Sequence, residues 1–115
     1  MSDLYHYTCG DSLARIREDW TLQPCMHPLV GSRLVWLTDL AVPNRNALGL
    51  TSITLDCDRT EHRLTVKPGQ QITEWWRWCR ANGITRADRD LLEMWPDAQP
   101  LRWFVSMEPV RVEPV

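Results

Sequence analysis

Lysine is nearly missing from this chain: there is one, against twelve arginines. Acidic residues outnumber basic ones, 15 to 13, for a net charge of -2. That balance argues against a broad phosphate-binding surface, because nucleic-acid binders carry a strong basic excess, while a local groove could still be basic. The arginine bias itself points to a GC-rich genome more than to a site. No apolar run reaches the roughly 18 residues that a membrane span needs. The start, "MSDLYHYT", lacks the basic-then-apolar order of a secretory leader. The expected compartment is the cytoplasm, where Cys9, Cys25, Cys57 and Cys79 would be reduced. None of them sits in a CxxC pair. Cys25 with His27, and Cys57 with His62, are too scattered to supply a zinc site, so no metal is expected. Gly-rich phosphate loops, a GxSxG elbow and an HExxH helix are all absent, which removes most common catalytic plans.

What remains is short strands, a few helices and seven tryptophans in 115 residues. The length fits one domain, residues 1–115, able to bury a core without disulfides. "LYHYT" (4–8) reads as a strand with Leu4, His6 and Thr8 on one face and Tyr5 and Tyr7 on the other. "SLARIREDW" (12–20) reads as a helix capped by Asp11 or Ser12. "TLQPCMHPLVGS" (21–32) reads as a loop. "RLVWLTD" (33–39) is the clearest strand, with Trp36 and Thr38 on one side. A mostly loop stretch follows, with one helical turn near Ala47, then strands at 52–57 and 62–68. Helices are expected at 70–83, ending near Gly83, and at 85–95, where Thr85 and Asp88 resemble a capping box. After "PDAQP" the chain ends in strands, with Phe104, Ser106 and Glu108 facing one way. This order predicts an α+β domain with an antiparallel sheet.

A histidine inside a strand and a carboxylate inside "WFVSMEPV" are the residues that could carry chemistry. An unpaired carboxylate is costly to bury, so Glu108 faces a cleft, meets a partner, or sits on an exposed edge strand, as Pro109 beside it also allows. His6 fits a cleft or a hydrogen-bonded core position. Trp36 fits a ligand wall or plain packing.

Taken together, "LYHYT" leading into "SLARIREDWTLQP", then "VWLTD", then a late strand with glutamate, resembles the ADP-ribosyltransferase superfamily. The likeness is to its small bacterial and phage members of the DarT and RNA 2'-phosphotransferase type, whose pattern is "Y-H-x-T" followed by "L..I...G.L.P". Trp20 stands near where that pattern carries glycine. The resemblance implies a split antiparallel sheet with NAD+ as substrate in the cleft and no metal. It implies that His6 holds the adenosine ribose, flanked by Tyr7 and Thr8. Trp36 and Thr38 would line the nicotinamide side, with Ser106 nearby. Glu108 would be catalytic together with His6, holding the nicotinamide ribose and stabilising its developing positive charge. The target would be a protein or nucleic acid, with the acidic charge fitting DNA poorly. The phosphotransferase type fits less well, since only Arg15, Arg33, Arg63 and His62 could hold its phosphate.

"EWWRWC" supports a second reading. Trp75, Trp76 and Trp78 share one helix, and at about 100° per residue they do not all face one core. They are either a wide buried face or a surface that binds a host or phage protein, in which case the domain would be a catalytically inactive interaction module.

Overall fold

The structure is a computed structural model and describes residues 3–27, 29–42, 61–94 and 97–115. The strand expected at 52–57, the turn near Ala47, Cys57 and Trp95 lie outside the described residues.

Tyr5–Thr8 forms the first strand, β1. The first helix, α1, runs Gly10–Ile16, so it begins and ends before the expected 12–20. Its N-cap residue is Cys9, which makes no side-chain capping bond, rather than Asp11 or Ser12. Residues 17–20 leave the helix in turns, closed by the Trp20 N–H on the Ile16 carbonyl at 2.6 Å. Trp20 has a φ of 52°, a left-handed geometry that side chains rarely adopt. Two contacts hold it there: its ring packs on the core, and its carbonyl accepts the Val112 N–H at 3.0 Å.

Two short strands, Thr21–Leu22 (β2) and Cys25–His27 (β3), occupy what the sequence reads as loop. Strands this short carry no periodicity and are defined only by their partners. Ser32–Thr38 is β4, within one residue of expectation. His62–Thr65 is β5. The helix expected at 70–83 divides into a two-residue strand, Thr73–Glu74 (β6), and a shorter helix, Trp75–Ala81 (α2). Gly83, with φ 66°, follows the helix end as a left-handed terminator. The helix Arg86–Glu93 (α3) starts at Thr85, whose Oγ1 accepts the Asp88 N–H at 3.2 Å. A 3-10 turn, Pro100–Arg102, leads into Trp103–Ser106 (β7), and Val110–Arg111 (β8) ends the pairing.

The main sheet is antiparallel, in the order β5-β1-β4-β7-β6, with β3 also on β4; β2 and β8 form a separate ladder. The domain is therefore α+β with an antiparallel sheet. Alternation along β4 sends Val35 and Leu37 to one face and Leu34, Trp36 and Thr38 to the other. Each face has its own core. Val35 and Leu37 pack with Leu13, Leu22, Leu64, Val110 and Val112. Leu34 packs with Trp75, Trp78, Cys79, Trp103 and Val105. In this way α1 covers one face and α2 the other.

Candidate functional site

The site follows from how β1 meets β4. The two strands pair at one position, Tyr5 opposite Thr38. From there β1 leaves β4 and runs with β5, pairing all the way to Thr8 opposite His62. At its other end β4 pairs with β3 from Ser32 to Leu34. Where β1 has left the middle of β4, His6 fills in with its side chain. Its Nδ1 lies 2.8 Å from the Trp36 carbonyl. A carbonyl only accepts, so Nδ1 carries the proton and donates. The hydrogen bond supplies to β4 what a strand neighbour would have supplied.

A cleft of about 750 Å³ opens at this place, lined by β1, by residues 34–38 of β4, by α1 and the chain after it, and by His27 of β3. Its size is within the ordinary range for small-molecule and cofactor sites. The register places Tyr5 and Tyr7 on the Thr38 face of the sheet, and His6 and Thr8 on the Leu37 face. All of them line the same cleft because it opens where the sheet parts.

Of the residues expected to bind a cofactor, His6, Tyr7, Thr8, Trp36 and Thr38 line the cleft. Two of their hydroxyls are already engaged with backbone. The Tyr7 hydroxyl donates to the Leu40 carbonyl at 2.7 Å. Burial pushes its phenol pKa up, partly opposed by Arg63. Thr38 is buried, its Oγ1 donating to the Arg102 carbonyl at 2.8 Å and accepting the Leu40 N–H at 3.2 Å. These two shape the wall, while Trp36 and His6, both half-buried, present rings to it.

Ser106 and Glu108 are placed differently from expectation, and neither is among the described residues lining the cleft. Ser106 is buried opposite Val35. Its hydroxyl donates to the Glu108 carbonyl at 2.9 Å and accepts the Glu108 N–H at 3.1 Å. That pair of bonds ends β7 in a turn. Glu108 is therefore an exposed turn residue between β7 and β8, not a residue inside a strand. Among the described residues, the carboxylates that line the cleft are Glu18 and Asp19, exposed at its rim just beyond α1. Among the described lining residues they face one guanidinium, Arg15.

The tryptophan helix also resolves. Trp75 and Trp78 are 0% and 5% exposed, so they are core and present no surface to a partner. Their ring centroids are 5.9 Å apart, and Trp75 lies 4.9 Å from Trp36. Trp76 points off this stripe and is half-exposed, its Nε1 donating to Glu74 at 2.8 Å. The physical reason is helical spacing: positions 75, 78 and 79 share a face, and position 76 does not.

His27 is a cleft residue that reading the sequence missed. The prolines on either side of it give the stretch the look of a loop, and its spacing from Cys25 suggests only a metal ligand. On β3 it shares a face with Leu34 and Trp36, and its ring centroid is 5.7 Å from that of Trp36. Among the described residues no group of three or more His, Cys, Asp or Glu is placed to hold a metal ion. No described helix is long and apolar enough to cross a membrane.

Comparison with known proteins gave no match to any protein-family model, curated protein or solved structure.

Proposed function

We propose that the cleft binds NAD+ and that the chain is an ADP-ribosyltransferase-like protein. The observation that carries this reading is the parting of β1 from β4, bridged by His6 on the Trp36 carbonyl. An imidazole fixed at the mouth of a parted sheet is what the resemblance of "LYHYT" implies. The half-buried indole of Trp36, which also lines the cleft, offers a wall for a planar base. Trp20 adds support, since it takes a left-handed φ of 52° at the place where the resembled pattern carries glycine. The described charge also suits NAD+ better than a more anionic nucleotide. One arginine against two carboxylates would repel a triphosphate, whereas the nicotinamide cation offsets part of the charge on a pyrophosphate.

A second reading is binding without transfer. The exposed position of Glu108 outside the cleft favours it, because electrostatic stabilisation of the ribose cation needs the carboxylate beside the breaking bond. The partner-binding form of this reading loses Trp75 and Trp78, which are buried.

Calorimetry with NAD+ on wild type, His6→Ala and His6→Gln tests the binding claim. Binding in wild type that weakens at least about tenfold in His6→Ala is expected from losing one well-placed polar contact. No heat at millimolar NAD+ removes the reading. Nicotinamide release by wild type and Glu108→Gln then separates the two forms. Release that Glu108→Gln abolishes assigns transfer to Glu108, and binding with no release in wild type leaves a binding domain.

A further inference from the structure

One end of the cleft is built from rings. Trp36 lies against buried Trp75 at 4.9 Å and 43°, and against buried Trp103 at 6.2 Å and 82°. Two buried neighbours fix the indole, so a ligand resting on it would lose little side-chain freedom. His27 stands beside it at 5.7 Å and 54°. That separation is an ordinary aromatic contact and leaves no slot for a third ring between them. A ligand ring would therefore lie on the cleft side of Trp36, with His27 at its edge.

The tautomer of His27 is set by the chain itself. Its Nδ1 accepts the Leu29 N–H at 3.2 Å. A ring nitrogen that accepts carries no proton, so the neutral imidazole bears its hydrogen on Nε2. Burial holds the His27 pKa below its ordinary value and favours this neutral form. Among the described residues Nε2 meets no acceptor. Leu92 of α3 adds an apolar wall to the same cleft. The result is a flat platform, an apolar side and one N–H donor of fixed position.

We propose that Trp36 and His27 form a subsite for a planar heteroaromatic ring bearing a hydrogen-bond acceptor, with the Nε2–H of His27 donating to that acceptor. This rests on reading the cleft as a ligand site, and it names the group recognised at this end. Both bases of a dinucleotide have the required chemistry: nicotinamide has an amide carbonyl, and adenine has ring nitrogens.

The test titrates nicotinamide and adenosine separately, with NAD+ alongside, into wild type, His27→Ala and His27→Gln, following tryptophan fluorescence. Glutamine places an amide N–H near the position of Nε2, so it keeps the donor without the ring. Thermal melts establish that each variant is folded. Wild type is expected to bind one of the two small probes, and which one identifies the base. His27→Ala should bind it about tenfold more weakly, the effect of one hydrogen bond, and His27→Gln should recover most of that loss. Equal binding by wild type and His27→Ala overturns the subsite, as does NAD+ binding that neither variant changes. A small probe that binds in a His27-dependent way while NAD+ does not bind keeps the subsite and removes the dinucleotide reading. No binding of any of the three overturns both.

Discussion

Replacing Trp75 by alanine should cost far more than replacing Trp76, one residue along the same helix. Trp75 is fully buried, with Trp36, Trp78 and Trp103 at 4.9, 5.9 and 6.4 Å, and its Nε1 donates to Glu93 at 3.0 Å. Truncating a buried tryptophan costs about 3–5 kcal/mol, from lost transfer energy and the cavity left behind. Domains of this kind are stable by only about 5–15 kcal/mol, so the loss is a large fraction of the total. At about 3–6 °C per kcal/mol for a chain of this size, the melting temperature should fall by roughly 10 °C or more. Trp76 is half-exposed and has less to lose, with two polar contacts among the described residues. One is its bond to Glu74, and the other is the Arg77 guanidinium 5.1 Å from its ring. Each is worth about 1 kcal/mol or less at an exposed site, and the better helix propensity of alanine offsets a few tenths. Thermal melts by far-ultraviolet circular dichroism, with urea titrations for the free energies, measure both. Equal losses at the two positions would refute the assignment of Trp75 to the core and of Trp76 to the surface.

Two further outcomes follow from the ionisable groups. Because burial lowers the His27 pKa, the unfolded chain binds this proton more readily than the folded one. The stability that His27 contributes is therefore present above its ordinary 6.5 and is lost as pH falls through its lower folded value. The difference in unfolding free energy between wild type and His27→Gln should shift in that direction on acidification, and a flat difference would contradict it. The Cys79 thiol is 1% exposed, and burial pushes its pKa up to about 11. Iodoacetamide at pH 8 should therefore label exposed Cys25 quickly and Cys79 only through unfolding. Mass mapping that shows comparable rates at the two sites would contradict the packing of α2 on the sheet.

Much of the scaffold could be read from residues. The alternation of "VWLTD" located β4 to within one residue, and Thr85, Asp88 and Gly83 marked the real helix boundaries. The pattern failed where an element exists only through its partner. β2, β3 and β6 have two or three residues each and are held by pairing alone. Missing β3 hid His27, and so half of the aromatic end of the cleft. The strand placement of Glu108 failed for another reason. Alternation continues two residues past Ser106 in the sequence, where the Ser106 hydroxyl instead closes a turn on the Glu108 backbone. The alternation of "LYHYT" marks His6 as a strand histidine with a hydrogen-bonded or cleft-facing ring. Its partner, the carbonyl of Trp36 thirty residues away, is set by tertiary pairing that no local pattern encodes.

The parted strands at His6 are proposed to make an NAD+ site. Calorimetric titration of NAD+ into wild type and His6→Ala tests it most directly. Binding in wild type that falls at least about tenfold on losing the imidazole is the predicted result. No binding in wild type, or equal binding in both proteins, would contradict it.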